Sequence, residues 1–229
     1  MINKNLTKRI ISSVILLLLL FLMFISSFVM FVSLILISLM AWIEFNRLFL
    51  RIFSKKDFKY KLFFFLSSSL TFAYLFVFVF IIFFIESSGL DFALYKFFIF
   101  YFLIISISSD IGGYVFGNIF KGKKLTKISP NKTISGSIGS FIFSLIMIPL
   151  FLSEINLILN NINLYLLIVV TFFVSLITQL GDLFVSYLKR LASVKNTGTI
   201  LPGHGGVLDR IDGILFAIPG GIIMLDLLI

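Results

Sequence analysis

No cysteine occurs anywhere in the 229 residues, which excludes disulfides, thiol catalysis and any cysteine-ligated metal. Histidine occurs once, at His204, and neither an HExxH zinc spacing nor a Ser-His-Asp arrangement is present. The Gly-Lys-Ser/Thr ending of a Walker phosphate loop is missing too. Charge is scarce: only 13% of residues are charged while 60% are hydrophobic, a balance that no soluble domain of this size sustains. The formal net charge is +9, yet there is no exposed basic module with readable elements of the kind nucleic-acid binding requires.

What is there is apolar length. A helix needs about 20 apolar residues to cross the hydrocarbon core, and runs of that kind lie near 10–28, 29–49, 62–85, 92–109, 137–153, 164–181 and 211–229. The expected fold class is therefore all-α: a polytopic integral membrane protein of about seven transmembrane helices. Eight or nine follow if the 62–85 block or the 92–120 region holds a re-entrant segment. The first two runs form one apolar block from Ile10 past Met40, and Ser26, Ser27 or Ser33 marks the expected turn. The chain reads as one domain over 1–229, with N-terminal spans in 1–109 and the motif-bearing region in 110–229. The first apolar segment lacks a small-residue cleavage site and runs straight into more membrane, as an uncleaved anchor does.

Positive loops are retained in the cytoplasm. With the N-terminus inside, every Lys and Arg except Lys96 falls on that side, and Glu86, Asp91 and Glu154 mark the opposite loops. This rule, with attraction to anionic headgroups, accounts for the net charge. Two polar islands, 110–136 and 181–213, then share the cytoplasmic face.

The second island holds three of the ten carboxylates, four of the nineteen basic residues, six glycines and the single histidine. Ionisable residues near hydrocarbon are costly and tend to mark function. Gly181 to Val194 reads as an extension of the sixth span, loosened at Gly181. Asp182, Ser186 and Lys189 follow at four and then three residues, which places them along one face. An ordinary helix end, with Lys189 and Arg190 snorkelling to headgroups, explains the same residues. Lys195 to Ile200 reads as a turn. In Pro202-Gly203-His204-Gly205-Gly206, the glycines would let backbone N–H groups converge on an anion and bring the histidine close to a substrate. Leu208 to Gly213 reads as the first turn of the last span, with Asp209 and Asp212 on one face. Joined by Asp182, they would make an oxygen-rich site suited to Mg²⁺, although acidic residues also favour helix N-termini through the dipole.

The first island opens with Asp110, at the end of the fourth span, followed by Gly112, Gly113, Tyr114 and Gly117. Lys121, Lys123 and Lys124 read as positive-inside residues. Lys132 differs, because it sits between Ser129 and Thr133 just ahead of Gly136 and Gly139 at the start of the fifth span. A hydroxyl, an ammonium and a helix N-terminus would converge there on an anion. Carboxylates for a divalent metal, cations for anionic oxygens and glycine-rich backbone point to phosphoryl or nucleotidyl transfer, which needs positioning and charge neutralisation rather than a protein nucleophile. A transporter guiding cations would instead place its acids near span centres, whereas these cluster at one face.

Ser186, Lys189, Arg190, Lys195, Pro202, Gly203, His204, Gly205, Gly206, Asp209, Arg210 and Asp212 resemble the pattern S-x-x-K-R…K-D…P-G-H-G-G-x-x-D-R-x-D of the phosphatidate cytidylyltransferases, also called CDP-diacylglycerol synthases. Asp110 to Gly117 is similar to D-x-G-G-Y-x-x-G, and Ser129 to Gly136 to S-P-x-K-T-x-x-G. Three positions depart from the family: Asn196 replaces an aspartate, Ser135 a glutamate, and Asn118 a frequent basic residue. The resemblance implies that CTP and phosphatidate give CDP-diacylglycerol and pyrophosphate. It implies a bacterial-type plasma membrane setting with the N-terminus cytoplasmic, Mg²⁺ on Asp182, Asp209 and Asp212, and an associated K⁺. Lys132, Lys189, Asp209 and Arg210 become the expected catalytic residues. Asp110, Ser129, Thr133, Ser186, Arg190, Gly203, His204, Gly205 and Gly206 become the expected substrate-binding residues. Family members are often homodimers. A sibling reaction, CTP with a polyprenol or another lipid phosphate, would leave the same nucleotide-side signature.

Overall fold

The computed structural model describes residues 4–55, 57–87, 92–126, 129, 132–159, 163–200 and 205–225. Among them are nine helices: α1 Lys4–Ile25, α2 Ser27–Ile52, α3 Phe58–Ser87, α4 Phe92–Phe120, α5 Ile134–Ile146, α6 Ile148–Leu159, α7 Leu164–Leu191, α8 Leu208–Ile211 and α9 Ile214–Leu225. The only extended pairing among the described residues is an isolated bridge between Lys124 and Thr133, so the all-α expectation holds. Four helices, α2, α3, α4 and α7, are long and apolar enough to cross a membrane, and the α5–α6 pair makes a fifth if its 43° bend lies within one span. Helices stand at each of the seven expected places. The apolar part of α1, Ile10–Ile25, is shorter than the crossing length, and α9 has 12 residues. By length and composition alone, four or five spans among the described residues reach the crossing length, against the seven expected.

The chain divides into two compact units that interleave in sequence: Met1–Leu90 with Leu188–Ile211, and Asp91–Tyr187 with Asp212–Ile229.

In the first unit, the long apolar block breaks at Ser26, one of the expected positions. Ser26 has extended backbone (φ −115, ψ 117) and its hydroxyl accepts from Val29 N–H, which caps α2. The side of α2 carrying Met30, Leu34, Ala41, Glu44, Phe45 and Leu48 is buried. Trp42 lies against α3, with its indole N–H donating to the Ser68 carbonyl at 3.3 Å. Only 22% of the most apolar window of α3 is buried, against 50% for α4; the exposed phenylalanines of α3 are the surface that lipid covers.

In the second unit, α4 and α5 cross at glycines. A Cβ on Gly112 would lie 2.6 Å from that of Phe143, and one on Gly139 would lie 2.6 Å from the Gly112 carbonyl oxygen. Small residues let the backbones approach closely, as is common between membrane helices. Hydroxyl pairs then tie α4 to α7: Tyr101 with Thr171 at 2.7 Å, Ser106 with Thr178 at 3.0 Å and Ser109 with Ser175 at 3.0 Å. Each such bond contributes about 0.6 kcal/mol in a membrane. The α5–α6 bend sits at Met147, just before Pro149, which has no N–H to continue the ladder.

Two local expectations are corrected. Gly181 does not loosen its helix, since α7 runs unbroken through it. It makes room for the chain beside it, because a Cβ there would come within 2.7 Å of the Asp212 carbonyl oxygen. Asp209 and Asp212 do not share one helical turn either. Helix α8 stops at Ile211 and α9 begins at Ile214; between them the Asp212 carboxylate takes the Gly213 N–H at 3.0 Å, an alternative to the helical ladder, and Gly213 packs against Thr178 where a Cβ would not fit.

Candidate active site

In the second unit, Asp110 from α4, Gln179 and Asp182 from α7, and Ser129, Lys132, Thr133 and Ser137 line a cavity of about 320 Å³. Lys132 is placed by backbone pairing: its carbonyl accepts from Leu125 N–H at 2.8 Å, and Ile134 N–H donates to the Lys123 carbonyl at 3.0 Å. From that ladder its ammonium reaches the Asp182 carboxylate, whose other oxygen accepts from Ser186 at 3.3 Å. The cavity thus presents one ammonium and two carboxylates at the entrance to α5. Thr133 is the N-cap of that helix, and its hydroxyl accepts from Gly136 N–H at 3.1 Å. The expected convergence of Ser129, Lys132 and Thr133 at a helix start is therefore present, with Thr133 also committed to capping. Gln179 went unnoticed in the sequence. Its oxygen accepts from Ser137 at 2.5 Å, while its buried amide nitrogen has no hydrogen-bond partner among the described residues, leaving its N–H donors for whatever fills the cavity.

In the first unit, the end of α7 and the start of α8 meet through Lys189 and Asp209, 2.8 Å apart. Helix α7 closes with Ser193 at φ 53, Val194 N–H on the Lys189 carbonyl and Ser193 N–H on that of Arg190, a Schellman stop that turns the chain sharply after Lys189. The second Asp209 oxygen accepts from Thr197 N–H at 2.9 Å and Gly206 N–H at 3.1 Å. Burial opposes the charged form of Asp209, but the Lys189 hydrogen bond, the two backbone N–H groups and the Lys189 charge outweigh it and hold the carboxyl below its ordinary range. Gly205 sits beside this carboxylate at φ 89, a conformation that a larger residue would adopt with strain.

This arrangement corrects one reading of the glycine loop. The Gly206 N–H, expected to face a substrate anion, is donated to Asp209. Gly203 and His204 lie outside the described residues. Arg190 and Arg210 are solvent-exposed, as is Asn196. Among the described residues no three His, Cys, Asp or Glu side chains are grouped so as to hold a metal ion; of the expected ligands, Asp182 pairs with Lys132, Asp209 accepts from Lys189, Thr197 and Gly206, and Asp212 is buried and accepts from Gly213.

Sequence reading also missed Glu44. It is completely buried in α2 and accepts from the Thr197 hydroxyl at 2.7 Å, Val207 N–H at 3.0 Å and Leu208 N–H at 2.9 Å. The available signal was its position: a carboxylate inside an apolar span is a functional candidate by default.

The fold is that of a multi-pass, all-α membrane protein whose polar side chains gather into a carboxylate–lysine cavity and a stapled glycine loop. The sequence profile of the cytidylyltransferase family matches residues 7–228, and the chain belongs to that family. It is 45% identical over 137 residues to a phosphatidate cytidylyltransferase of Staphylococcus haemolyticus, in an alignment covering 58% of this chain and 48% of that relative. Phosphatidate cytidylyltransferases of Staphylococcus saprophyticus (42%) and Staphylococcus aureus strain COL (45%) match over 135 residues, with the same shares. The chain spans about half the length of the curated relatives it matches.

Proposed function

We propose that this protein transfers a cytidylyl group from CTP to phosphatidate, giving CDP-diacylglycerol and pyrophosphate, at the cytoplasmic face of a bacterial plasma membrane. The observation that carries the reading is the cavity where Lys132 faces Asp182 and Asp110 among hydroxyls and an unpaired amide donor. Its volume suits a small polar ligand, and its charges suit a nucleoside triphosphate better than an apolar substrate. In the reaction, a phosphate oxygen of the lipid forms a bond to the α-phosphorus of CTP while the bond from that phosphorus to the bridging β-phosphate oxygen breaks. Phosphatidate arrives already ionised, so no strong general base is required. Lys132 offsets phosphate charge inside the cavity; Lys189, oriented by Asp209 in the first unit, is a second candidate cation.

The donors that fit Mg²⁺ in this cavity are Asp110 and Asp182, of which Asp182 is among the three ligands the resemblance implied. Asp110 and Asp182 line one cavity, and Mg²⁺ is commonly held by one or two carboxylates with substrate phosphates and water completing its shell. Bound there, it would supply further neutralisation of phosphate charge. K⁺ rests on the family resemblance alone.

Purified protein in phospholipid micelles, given labelled CTP, Mg²⁺ and phosphatidate, is expected to form labelled CDP-diacylglycerol. Parallel reactions with polyprenyl phosphate distinguish the sibling reaction, and no incorporation into any lipid phosphate refutes the enzyme reading. Orientation is tested by single cysteines at Lys124 and Thr199, both exposed, and at Asn161. Cytoplasm-only labelling of the first two, with Asn161 labelled from outside, is expected. The reverse pattern overturns the orientation.

A further inference from the structure

Glu44 and Asp209 hold the same short stretch of chain from two sides. Three consecutive backbone N–H groups are donated to carboxylates: Gly206 to Asp209, then Val207 and Leu208 to Glu44. The other stem of the loop is tied in the same way, because Thr197 gives its N–H to Asp209 and its hydroxyl to Glu44. Helix α8 begins at Leu208, so these are donors that a short helix start would otherwise leave without partners. The packing leaves no slack. A Cβ on Gly198 would come to 2.5 Å from Glu44 Oε1, and one on Gly206 would overlap the same carboxylate.

A buried carboxylate that accepts three hydrogen bonds and lies in a membrane helix is not explained by solubility or topology. Nor is it needed merely to cap α8, since a serine or asparagine in the loop would do that locally. Reaching from α2 to both ends of the 197–208 segment, it fixes the distance between the two loop stems. Asp209 depends on those stems for two of its hydrogen bonds, and Lys189 depends on Asp209.

We propose that Glu44 is a positioning residue, a clasp that holds the two loop stems at Thr197 and at Gly206–Leu208 and, through Thr197 and Gly206, keeps the Asp209–Lys189 pair in the geometry that turnover of CTP requires. The kinetic part rests on the cytidylyltransfer reading; the clasp itself does not. The test is the substitution Glu44→Gln, which preserves shape but replaces one acceptor oxygen by an NH₂ group. If the NH₂ replaces Oε1 it faces Val207 N–H, and if it replaces Oε2 it faces Leu208 N–H, so either rotamer sets donor against donor. Thr197→Val removes the hydroxyl with little change of shape, and Thr197→Ser restores it.

In full-length detergent-solubilised protein, amide hydrogen exchange at Val207 and Leu208 is expected to be faster in E44Q than in wild type, without any ligand. With CTP and phosphatidate, E44Q and T197V are expected to lower kcat/KM for CTP by about tenfold to a hundredfold, with a raised KM for CTP, an unchanged KM for phosphatidate, and wild-type values in T197S. Unchanged exchange at Val207 and Leu208 overturns the clasp whatever the kinetics. A Vmax that falls only in proportion to the folded fraction, with both KM values unchanged, makes Glu44 a stability residue and overturns the positioning role. Absence of activity in wild-type protein removes the cytidylyltransfer reading instead, and the exchange measurement still decides whether Glu44 holds the loop.

Discussion

Lys189 and Asp209 are 20 positions apart in sequence and 2.8 Å apart in space, one on the last turns of α7 and the other at the start of α8. Their pairing explains why an island so rich in glycine is ordered at its base. The lysine satisfies one carboxylate oxygen and two backbone N–H groups satisfy the other, so Thr197 and Gly206 are stapled to one side chain.

The pH response of this staple follows from its sign. The folded-state pKa of Asp209 is depressed, so its stabilising contribution is present above the unfolded value of about 3.9 and is lost as pH falls through the folded value below it. In an isotope-labelled sample, the Thr197 and Gly206 amide resonances should stay at their neutral-pH positions down through the ordinary carboxylate range and move only in stronger acid. Movement centred at or above the ordinary value would show that Lys189 does not hold the carboxylate. Asp209→Asn should abolish CDP-diacylglycerol formation while the protein still inserts and folds.

Lys132 is the only cation lining the cavity among the described residues. Lys132→Met is expected to reduce turnover by about a hundredfold to a thousandfold, the range seen when one preorganised charge-stabilising donor is removed. Lys121→Ala and Lys123→Ala alter exposed side chains that do not line the cavity, and should leave turnover unchanged. Rate measurements at saturating CTP separate these cases, and equal activity in Lys132→Met would remove Lys132 from the chemistry.

Gly139→Ala tests the helix crossing. The added methyl would meet the Phe116 side chain and the Gly112 carbonyl oxygen at 2.6 Å, and a backbone atom cannot swing aside as a flexible side chain can. Overpacking of this kind destabilises by about 1–3 kcal/mol. Thermal unfolding in detergent should show a lowered midpoint; an unchanged midpoint would mean that α4 and α5 separate freely.

Several features were legible in one dimension because their causes are local. Apolar runs announce spans wherever hydrocarbon must be crossed, and helices stand at each expected run. The Ser26 break follows from a hydroxyl that caps the next helix. Lys132 beside Thr133 marked a helix start, and the structure places it on a cavity with Asp182. The glycines of 112–139 were visible as a motif but not as a helix crossing, because a missing side chain does not say what approaches it.

By itself, the order of residues determined an all-α membrane protein with two polar islands that carry its motifs, since hydropathy, spacing and capping act between near neighbours. Tertiary structure alone decided which partner each charge takes. It ended α8 at Ile211, one residue before Asp212, and it turned the Gly206 N–H inward to a carboxylate. It also brought Glu44 to Thr197 across 153 positions. A buried carboxylate must find donors or become too costly to bury, and which donors lie within reach is set by how the helices pack rather than by anything written beside it in the chain.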